Sequence, residues 1–413
     1  LRFLVGFGAK PQRNFEDKKM ENLPIVHVVN GRQKKLLQGH PWVYGNEIER
    51  VEGEIEDGGL VTVVDFRGRY MGTGFYNSKS LITVRLLTHR QEEITDELIA
   101  SRVKAACDYR RFVMNRPGTD SCRLIYGEAD RLPGVIADRF GGGIVLQVLA
   151  LGMERFTQTI ADALLACEKP DCLLLQNDDA IRRKEGMECF TRVLYGTLPE
   201  ENIIHENSVK LAVDVLGGQK TGYFLDQKDN HLFVRQFCKD ARVLDCFSYI
   251  GAFALNAAAA GAKEVTAVDI SEAAVQLIEK NVALNGADIT AVCANCFDFL
   301  RAQVKAGEKY DVVVLDPPAF TKAHANMASA CRGYKEIALS AMRLLPAGGV
   351  LATHSCSYHM PEEVFVNTVL SAAQDLHRQV RVITLRRQDI DHPVLAGYPE
   401  SHYLKSLWLQ MLD

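Results

Sequence analysis

The sequence lacks the features of a membrane protein and of a disulfide-rich scaffold. No apolar run in its 413 residues reaches the roughly 18 to 20 residues that a membrane-spanning helix requires. The apolar stretch over residues 1–8 is short, and neither a basic flank nor a cleavage site typical of a secretory signal accompanies it. The 11 cysteines are an odd number scattered along the chain, which favours reduced thiols over a disulfide framework. We therefore expect a cytoplasmic protein.

The sequence also lacks an excess of charge of one sign and a metal-binding pattern. The net charge is −4, so no overall basic field indicates nucleic acid, although a local basic face remains compatible with it. Cys293 and Cys296 are closely spaced, but no second pair of Cys or His lies near them in the sequence. A lone pair is a weak metal signal, so we predict no metal site.

The length of 413 residues predicts two or three domains, and the sequence pattern changes twice along the chain. Residues 24–92 carry short β-rich runs broken by glycines, which predicts a small barrel-like β domain. Residues 93–204 have the pattern of an α+β module. From residue 205 to residue 413, strands alternate with helices, as in a parallel sheet covered on both faces. Residues 1–23 are expected to be an N-terminal extension, since Met20 is a suitable start.

Two basic clusters precede the last region. The first interleaves basic and aromatic residues in the β domain: Arg32, Lys34, Lys35, His40, Trp42 and Tyr44. This pattern fits a nucleic-acid surface, but also a solvated loop beside a core tryptophan. The second cluster, residues 182–184, is expected in the loop after a strand at residues 172–176, and a solvated charge run is its commoner explanation.

The first two strands of the last region end in acidic residues. Asp245 ends the first strand, and the turn after it carries Phe247 and Tyr249 where a nucleotide-binding turn usually has glycines, keeping Gly251. Asp269 ends the second strand, a position from which a carboxylate can bind ribose hydroxyls. NAD and S-adenosylmethionine (SAM) both fit this pattern. The acid at residue 245 favours SAM, because a carboxylate suits its cationic aminoacyl part and would repel a pyrophosphate.

The fourth predicted strand runs directly into Asp316, Pro317 and Pro318. Proline fixes the turn and leaves no N–H to satisfy, so an acidic lip is expected at the sheet edge. This lip resembles the fourth motif of class I methyltransferases that act on nucleobases. An ordinary end of a strand is the alternative interpretation.

Cys356 follows the fifth predicted strand, flanked by serines. A thiolate that adds to C6 of a pyrimidine makes C5 nucleophilic enough to accept a methyl group. Asp316 could then hydrogen-bond the N3 and amino edge of a flipped-out cytosine. The alternative is a buried structural cysteine, because free cysteine is among the most buried residue types.

Several motifs together resemble the bacterial large-subunit ribosomal RNA cytosine-C5 methyltransferases of the methyltransferase I type. The resemblance covers nearly all the chain from about residue 24, and its most specific segments are residues 220–227, 246–249, 316–318, 330–335, 355–357, 391–393 and 398–400. It implies an α/β fold in which a small β-barrel PUA domain (24–92) and a central α+β domain (93–204) precede a Rossmann-like class I SAM methyltransferase domain (205–413). It also implies RNA binding by the PUA domain and allows a homodimer.

The resemblance implies a set of functional residues. Cys356 and Asp316 take the catalytic positions. The SAM contacts it implies are Phe224, Asp226, Asp245, Phe247, Ser248, Gly251, Asp269, Ile270, Asn295, Cys296 and Asp316. The RNA contacts are Arg32, Lys34, Lys35, Lys220, Lys228, Arg332 and Lys335.

The chain departs from the family pattern at two places. Asn295 replaces an acid that accepts a hydrogen bond from the adenine amino group, and its amide oxygen is expected to retain that contact. Lys228 and His231 stand where arginines are usual, which affects the details of RNA contact because lysine cannot bind in a bidentate manner.

Three functions remain open from the sequence. The first is cytosine-C5 methylation of 23S ribosomal RNA, free or in a large-subunit assembly intermediate. The second is methylation of another base atom, such as a guanine nitrogen, for which Cys356 would be dispensable. The third is an RNA-binding ribosome assembly factor without turnover, against which the presence of Asp269, Asp316 and Cys356 argues.

Overall fold

The computed structural model describes residues 23–114, 116–320 and 326–413. The predicted N-terminal extension lies, except for Leu23, outside the described residues. Residues 25–88, all described, form a six-stranded mixed sheet in the order β2-β6-β5-β4-β1-β3. Its elements are β1 (Ile25–Val28), α1 (Gln33–Leu37), β2 (Trp42–Val43), β3 (Ile48–Glu52), β4 (Leu60–Val64), β5 (Tyr70–Tyr76) and β6 (Val84–Thr88). The strands close over a small core of valines that includes Val26, Val61 and Val63.

Residues 121–196, also fully described, form a five-stranded sheet in the order β11-β10-β9-β8-β7. Two longer helices cover it, and the first begins at Thr95, whose hydroxyl accepts from the Leu98 N–H at 3.3 Å. This part contains α2 (Asp96–Val113), β7 (Ser121–Tyr126), β8 (Val135–Phe140), β9 (Gly143–Val148), α3 (Thr157–Glu168), β10 (Cys172–Asn177), α4 (Ile181–Lys184) and β11 (Phe190–Gly196).

The basic cluster at residues 182–184 is not the loop that the sequence predicted. It forms α4, and Arg182 is fully buried. The Arg182 guanidinium donates to the carbonyl of Glu188 at 2.7 Å and pairs with Glu154 at 2.5 Å. A buried arginine that satisfies backbone carbonyls has a structural role, so this residue is not part of a solvated charge run.

Over the described residues from 202 onward, a hairpin leads into a seven-stranded sheet in the order β16-β15-β14-β17-β18-β20-β19. Strand β20 is antiparallel to its neighbours β18 and β19, and β14 to β18 are parallel. The elements are β12 (Asn202–Glu206), β13 (Val209–Val213), α5 (Lys228–Val234), β14 (Arg242–Cys246), α6 (Ala252–Ala259), β15 (Glu264–Asp269), α7 (Glu272–Asn285), β16 (Thr290–Cys293), α8 (Cys296–Ala306), β17 (Val312–Leu315), α9 (Met327–Leu344), β18 (Val350–Ser355), α10 (Glu362–Asp375), β19 (Val380–Arg386) and β20 (Lys405–Met411).

Helices cover both faces of this sheet, which confirms the predicted α/β class. Tyr334 of α9 and Phe365 of α10 pack on one face, and Phe253 of α6 and Ile278 of α7 pack on the other. Such double burial explains why strands such as β17 are continuous apolar runs. No helix among the described residues is long and apolar enough to cross a membrane. The division into domains at residues 92 and 204 stays a prediction.

Candidate active site

The carboxyl ends of the parallel strands open onto a cavity of about 350 Å³. Ligands of open α/β sheets bind at this edge, where the chain leaves the strands in loops. The side chains lining the cavity come from Gln219, Phe224, Asp226, Gln227, Phe247, Tyr249, Asp269, Ile270, Ser271, Asn295, Cys296, Phe297, Asp316, Pro317, Pro318, Phe320, Cys356 and Leu404. The cavity therefore brings together most of the residues that the sequence predicted for the cofactor and both predicted catalytic residues.

One wall of the cavity, which we call the turn side, consists of Phe247, Tyr249, Asp269, Ile270 and Asn295. Phe247 and Tyr249 have φ of +63° and +51°, in the left-handed region that costs a non-glycine residue about 1–2 kcal/mol. The Phe247 N–H donates to Cys296 Sγ at 3.2 Å, and the Tyr249 N–H donates to Asp269 Oδ2 at 2.9 Å. These two hydrogen bonds stabilise the left-handed backbone conformation of the turn, which glycines would adopt without that cost.

Gly251 closes the same turn with a φ of +87°. A Cβ atom there would lie 3.3 Å from Ile278, which adds a steric reason for glycine at this position. Gly251 and Ser248 do not line the cavity, and they shape the turn from behind it.

Asp245 lies beneath the turn and does not line the cavity. It is fully buried, and its Oδ2 accepts hydrogen bonds from the Ser248 hydroxyl and from the Ala254 N–H. Burial raises the pKa of Asp245 to about 7. The structure thus gives Asp245 a position from which it supports the loop, whereas the sequence predicted a direct contact with the cofactor.

Asn295 begins α8, and its side-chain oxygen accepts from the Phe297 N–H at 2.9 Å. This N-cap bond satisfies one of the free donors at the start of the helix. The oxygen that was expected to accept from an adenine amino group therefore already holds a partner. Any further donor has to share it.

A second group of lining residues, which we call the cysteine side, consists of Asp226, Gln227, Asp316 and Cys356. Gln227 Nε2 donates to Asp316 Oδ2 at 2.9 Å. Asp226 Oδ2 accepts from Lys220 Nζ at 2.8 Å and from the Tyr403 hydroxyl, whereas its buried Oδ1 has no hydrogen-bond partner among the described residues. An ionised oxygen without a donor in a cavity is a ready acceptor for a cationic or amino group.

The charge state differs between the two acids of the cysteine side. Burial opposes ionisation of Asp226, but Lys220 and His392 outweigh it and hold the pKa of that carboxyl well below its usual range. Burial and, after it, the charge of Asp226 together raise the pKa of Asp316 to about 7. Near neutral pH the site therefore holds one ionised acid and one that readily keeps its proton.

Cys356 follows β18 and is partly buried. Burial, with the nearby Asp316, raises the pKa of its thiol to about 11. The thiol is therefore protonated at neutral pH, and it has to lose its proton when it acts as a nucleophile.

Several residues of the site were missed in the sequence, among them Tyr403, which holds Asp226, and Leu404, which lines the cavity. Both immediately precede β20, which pairs with β18 so that Lys405 lies opposite Ser355. Because β20 is antiparallel to β18, it begins at the edge of the sheet where β18 ends. The apolar run at residues 407–411 was therefore the sequence signal that could have located these two residues.

The residues predicted to bind RNA are spread over the surface. Arg32 and Lys34 are exposed beside and on α1, Arg332 is exposed on α9, and Lys220 is exposed and donates to Asp226. Lys35 and Lys335 are partly exposed and pair with Glu47 at 2.6 Å and with Asp375 at 2.8 Å.

Lys228 is the exception among these residues. It is fully buried, donates to the carbonyl of Leu225 at 2.9 Å and forms an ion pair with Asp391. Because the ammonium group has no exposed surface, the predicted RNA contact of Lys228 is not compatible with this structure. In the described part of the chain, no group of three His, Cys, Asp or Glu side chains is placed to hold a metal ion.

Family models match two parts of the chain. A PUA-like domain matches residues 26–89, and an S-adenosylmethionine-dependent methyltransferase matches residues 144–388. The sequence is 42% identical over 388 residues to ribosomal RNA large subunit methyltransferase I of Klebsiella pneumoniae (strain 342), covering 92% of this chain and 97% of that protein. The protein of the same name from Salmonella arizonae is 41% identical over 390 residues, covering 93% and 96%.

Solved structures show the same fold at lower identity. A candidate SAM-dependent methyltransferase from Streptococcus mutans superposes with a TM-score of 0.80 at 20% identity, covering 94% of this chain and 99% of that chain. A structure of a candidate methyltransferase in complex with S-adenosylhomocysteine superposes with a TM-score of 0.81, also at 20% identity and over the same shares.

Proposed function

The chain belongs to the S-adenosylmethionine-dependent methyltransferases, among the relatives named ribosomal RNA large subunit methyltransferase I, and we propose that it methylates C5 of a cytosine in 23S ribosomal RNA. The names of these relatives and the PUA-like domain support an RNA substrate. The observation that carries the C5 assignment is that Cys356 and Asp316 line the same cavity as the turn side.

The side chains of the cavity suit SAM in their chemistry. Ile270 and Phe297 offer apolar surface for an adenine, and Asp269 offers lone pairs for ribose hydroxyls. The ionised Asp226, with its free Oδ1, suits an ammonium group. Bound SAM supplies an electrophilic methyl group. Asp245, Ser248 and Gly251 support this site by shaping the turn.

The cysteine side supplies the activation of the base. Cys356 gives its proton to the Asp316 carboxylate and forms an Sγ–C6 bond, so that the electron pair of the C5–C6 double bond becomes available at C5. Asp316, in its protonated form, donates to N3 and stabilises the charge that develops on the ring. After C5 accepts the methyl group, loss of the C5 proton and of the Cys356 thiolate restores the double bond.

The substrate is either free 23S ribosomal RNA or a large-subunit assembly intermediate in the cytoplasm, where thiols stay reduced. Arg32, Lys34 and Arg332 carry exposed positive charge suited to phosphates, which position the enzyme without reading sequence. The homodimer that the resemblance allows stays a prediction.

Methyl transfer from isotopically labelled SAM to ribosomal RNA that lacks its own modifications tests this function. Nucleoside mass spectrometry should find the label in 5-methylcytidine. Label in a methylated guanosine or another nucleoside would refute the C5 assignment and make Cys356 a structural residue. No label in free RNA or in ribosomal subunits would favour an assembly factor without turnover.

A further inference from the structure

A second cavity of about 350 Å³ lies directly after Cys356 and shares no lining residue with the active site. We call it the Tyr358 pocket, and its walls include Tyr358, His359, Pro361, Glu362, Glu400 and His402. Two extended residues span at most about 7 Å, so the pocket begins within that distance of the catalytic cysteine along the chain. The proposed catalytic mechanism makes no use of this pocket.

Tyr358 presents an exposed ring. Its residue surface is 53% exposed, and burial, with the nearby charge of Glu400, raises the pKa of its hydroxyl. Glu400 in turn pairs with His40 of the N-terminal β domain at 3.2 Å. His359 packs against the ring edge, with 5.1 Å between ring centroids and an interplanar angle of 72°. An aromatic ring packed at its edge loses little conformational entropy when a ligand stacks on it.

The pocket also offers polar groups for a planar heterocycle. Glu362 Oε2 and His402 Nε2 are buried atoms without a hydrogen-bond partner among the described residues, and they lie 3.8 Å apart, beyond hydrogen-bonding distance. Lys405 also lines the pocket and donates to the carbonyl of Ser357 at 2.6 Å. The edge of a nucleobase presents donors and acceptors that such groups can engage.

We propose that the Tyr358 pocket binds an unstacked RNA nucleobase next to the methylated cytosine. The proposal rests on the proposed function, because it takes the base at Cys356 as its reference point. Proteins that recognise single-stranded RNA stack splayed bases on aromatic rings and bond their edges, and the pocket combines both features. A neighbouring base held there would keep the target nucleotide turned out of its helix and aligned with Cys356.

Steady-state kinetics with unmodified 23S ribosomal RNA test the stacking role. Tyr358→Ala should raise the KM for RNA about tenfold, as expected for loss of one base–aromatic stack, while SAM affinity and the melting temperature stay unchanged. Tyr358→Phe keeps the ring and should lie nearer to the wild type. Tyr195→Ala, which removes a ring of similar exposure on β11, is the matched control and should not change KM. An unchanged KM for Tyr358→Ala would overturn the proposal.

Photo-crosslinking separates this proposal from the proposed function, since it needs no turnover. A 23S transcript containing 4-thiouridine should crosslink to the peptide that carries residues 357–362, and Tyr358→Ala should lose that crosslink. Methylation of the RNA without this crosslink would overturn the pocket and leave the function standing. A Tyr358→Ala defect seen with ribosomal particles but not with naked RNA would also overturn it, because the pocket would then contact a ribosomal protein.

Discussion

The turn side and the cysteine side of the cavity are assembled from the chain in different ways. On the turn side, Asp269 and Asn295 follow neighbouring strands and bond to nearby backbone N–H groups. On the cysteine side, Asp316 and Cys356 also follow neighbouring strands, but Asp226 comes from the segment before the sheet, and Asp316 and Cys356 have raised pKa values. The proposed cofactor site thus has a fixed geometry close to the sheet edge, whereas the proposed site of base activation has buried groups whose protonation the surroundings control.

Of the changes considered, removal of Cys356 from the cysteine side should have the largest effect on methyl transfer. Cys356→Ala removes the proposed nucleophile, so methyl transfer should fall below detection, at least about 1000-fold. SAM affinity, measured by calorimetry, should stay within about twofold because the turn side is intact. Cys189→Ala, at another partly buried free cysteine, should retain full activity. Equal loss of SAM binding and activity in a folded Cys356→Ala protein would contradict the division between the two sides.

Lys220 and Lys228 lie in the same segment near the cysteine side, but Lys220 is accessible and Lys228 is buried. Lys228→Met removes the ammonium group paired with the buried Asp391 and should lower the free energy of unfolding by about 3–5 kcal/mol. Urea denaturation measures this change. Lys220→Met, at a partly exposed side chain, should lower it much less. A Lys228→Met protein of normal stability with weakened RNA binding would restore the RNA role that the sequence predicted.

Asp316→Asn should reduce kcat by about 100-fold, because it removes a proton donor while keeping the shape of the side chain. The pH dependence provides the sharper comparison. In the proposed mechanism, Asp316 and Cys356 together hold one proton in the active form. Their pKa values are about 7 and about 11.

In the wild type, kcat/KM should therefore rise with pH up to about 7 and then level off, since the pair holds one proton between the two pKa values. In Asp316→Asn, Cys356 is the titrating group of the pair that remains. Because its thiol loses its proton only at higher pH, kcat/KM should keep rising above pH 7. Two profiles that level off at the same pH would contradict the role of Asp316.

The smallest expected effect concerns the turn side, where Asn295→Asp should change the affinity for SAM. The second carboxylate oxygen could accept from an adenine amino group while the first keeps the N-cap bond to Phe297. We expect SAM affinity to rise a few-fold by calorimetry, with kcat unchanged. Asn295→Ala should lower the affinity and the stability of α8 together. Weaker SAM binding by Asn295→Asp would show that the amide nitrogen, not the oxygen, makes the contact.

The sequence predicts the strand-end residues of this site well. Asp269, Asp316 and Cys356 each follow an apolar run, and parallel strands bring their carboxyl ends to one edge, so pattern and topology suffice. The buried position of Asp245 could not be inferred in this way, because it depends on how the turn folds back over β14.

Tyr403 was missed and Lys228 was wrongly assigned for a different reason. Tyr403 contacts Asp226 across 177 positions of the chain, and Lys228 pairs with Asp391 across 163. Local patterns carry no information on such contacts. Lysine is also rarely buried, so the surface assignment followed from the ordinary behaviour of the residue type.

The measurement that tests the central claim most directly is covalent trapping with 23S ribosomal RNA transcribed with 5-fluorocytidine. Fluorine at C5 leaves no proton to remove after methyl transfer, so the thioether to C6 cannot be eliminated. With SAM present, a denaturation-resistant protein–RNA complex should form, and its digested peptide should carry the nucleotide on Cys356. Efficient methylation of normal RNA without such a complex, or an adduct on another residue, would contradict the account.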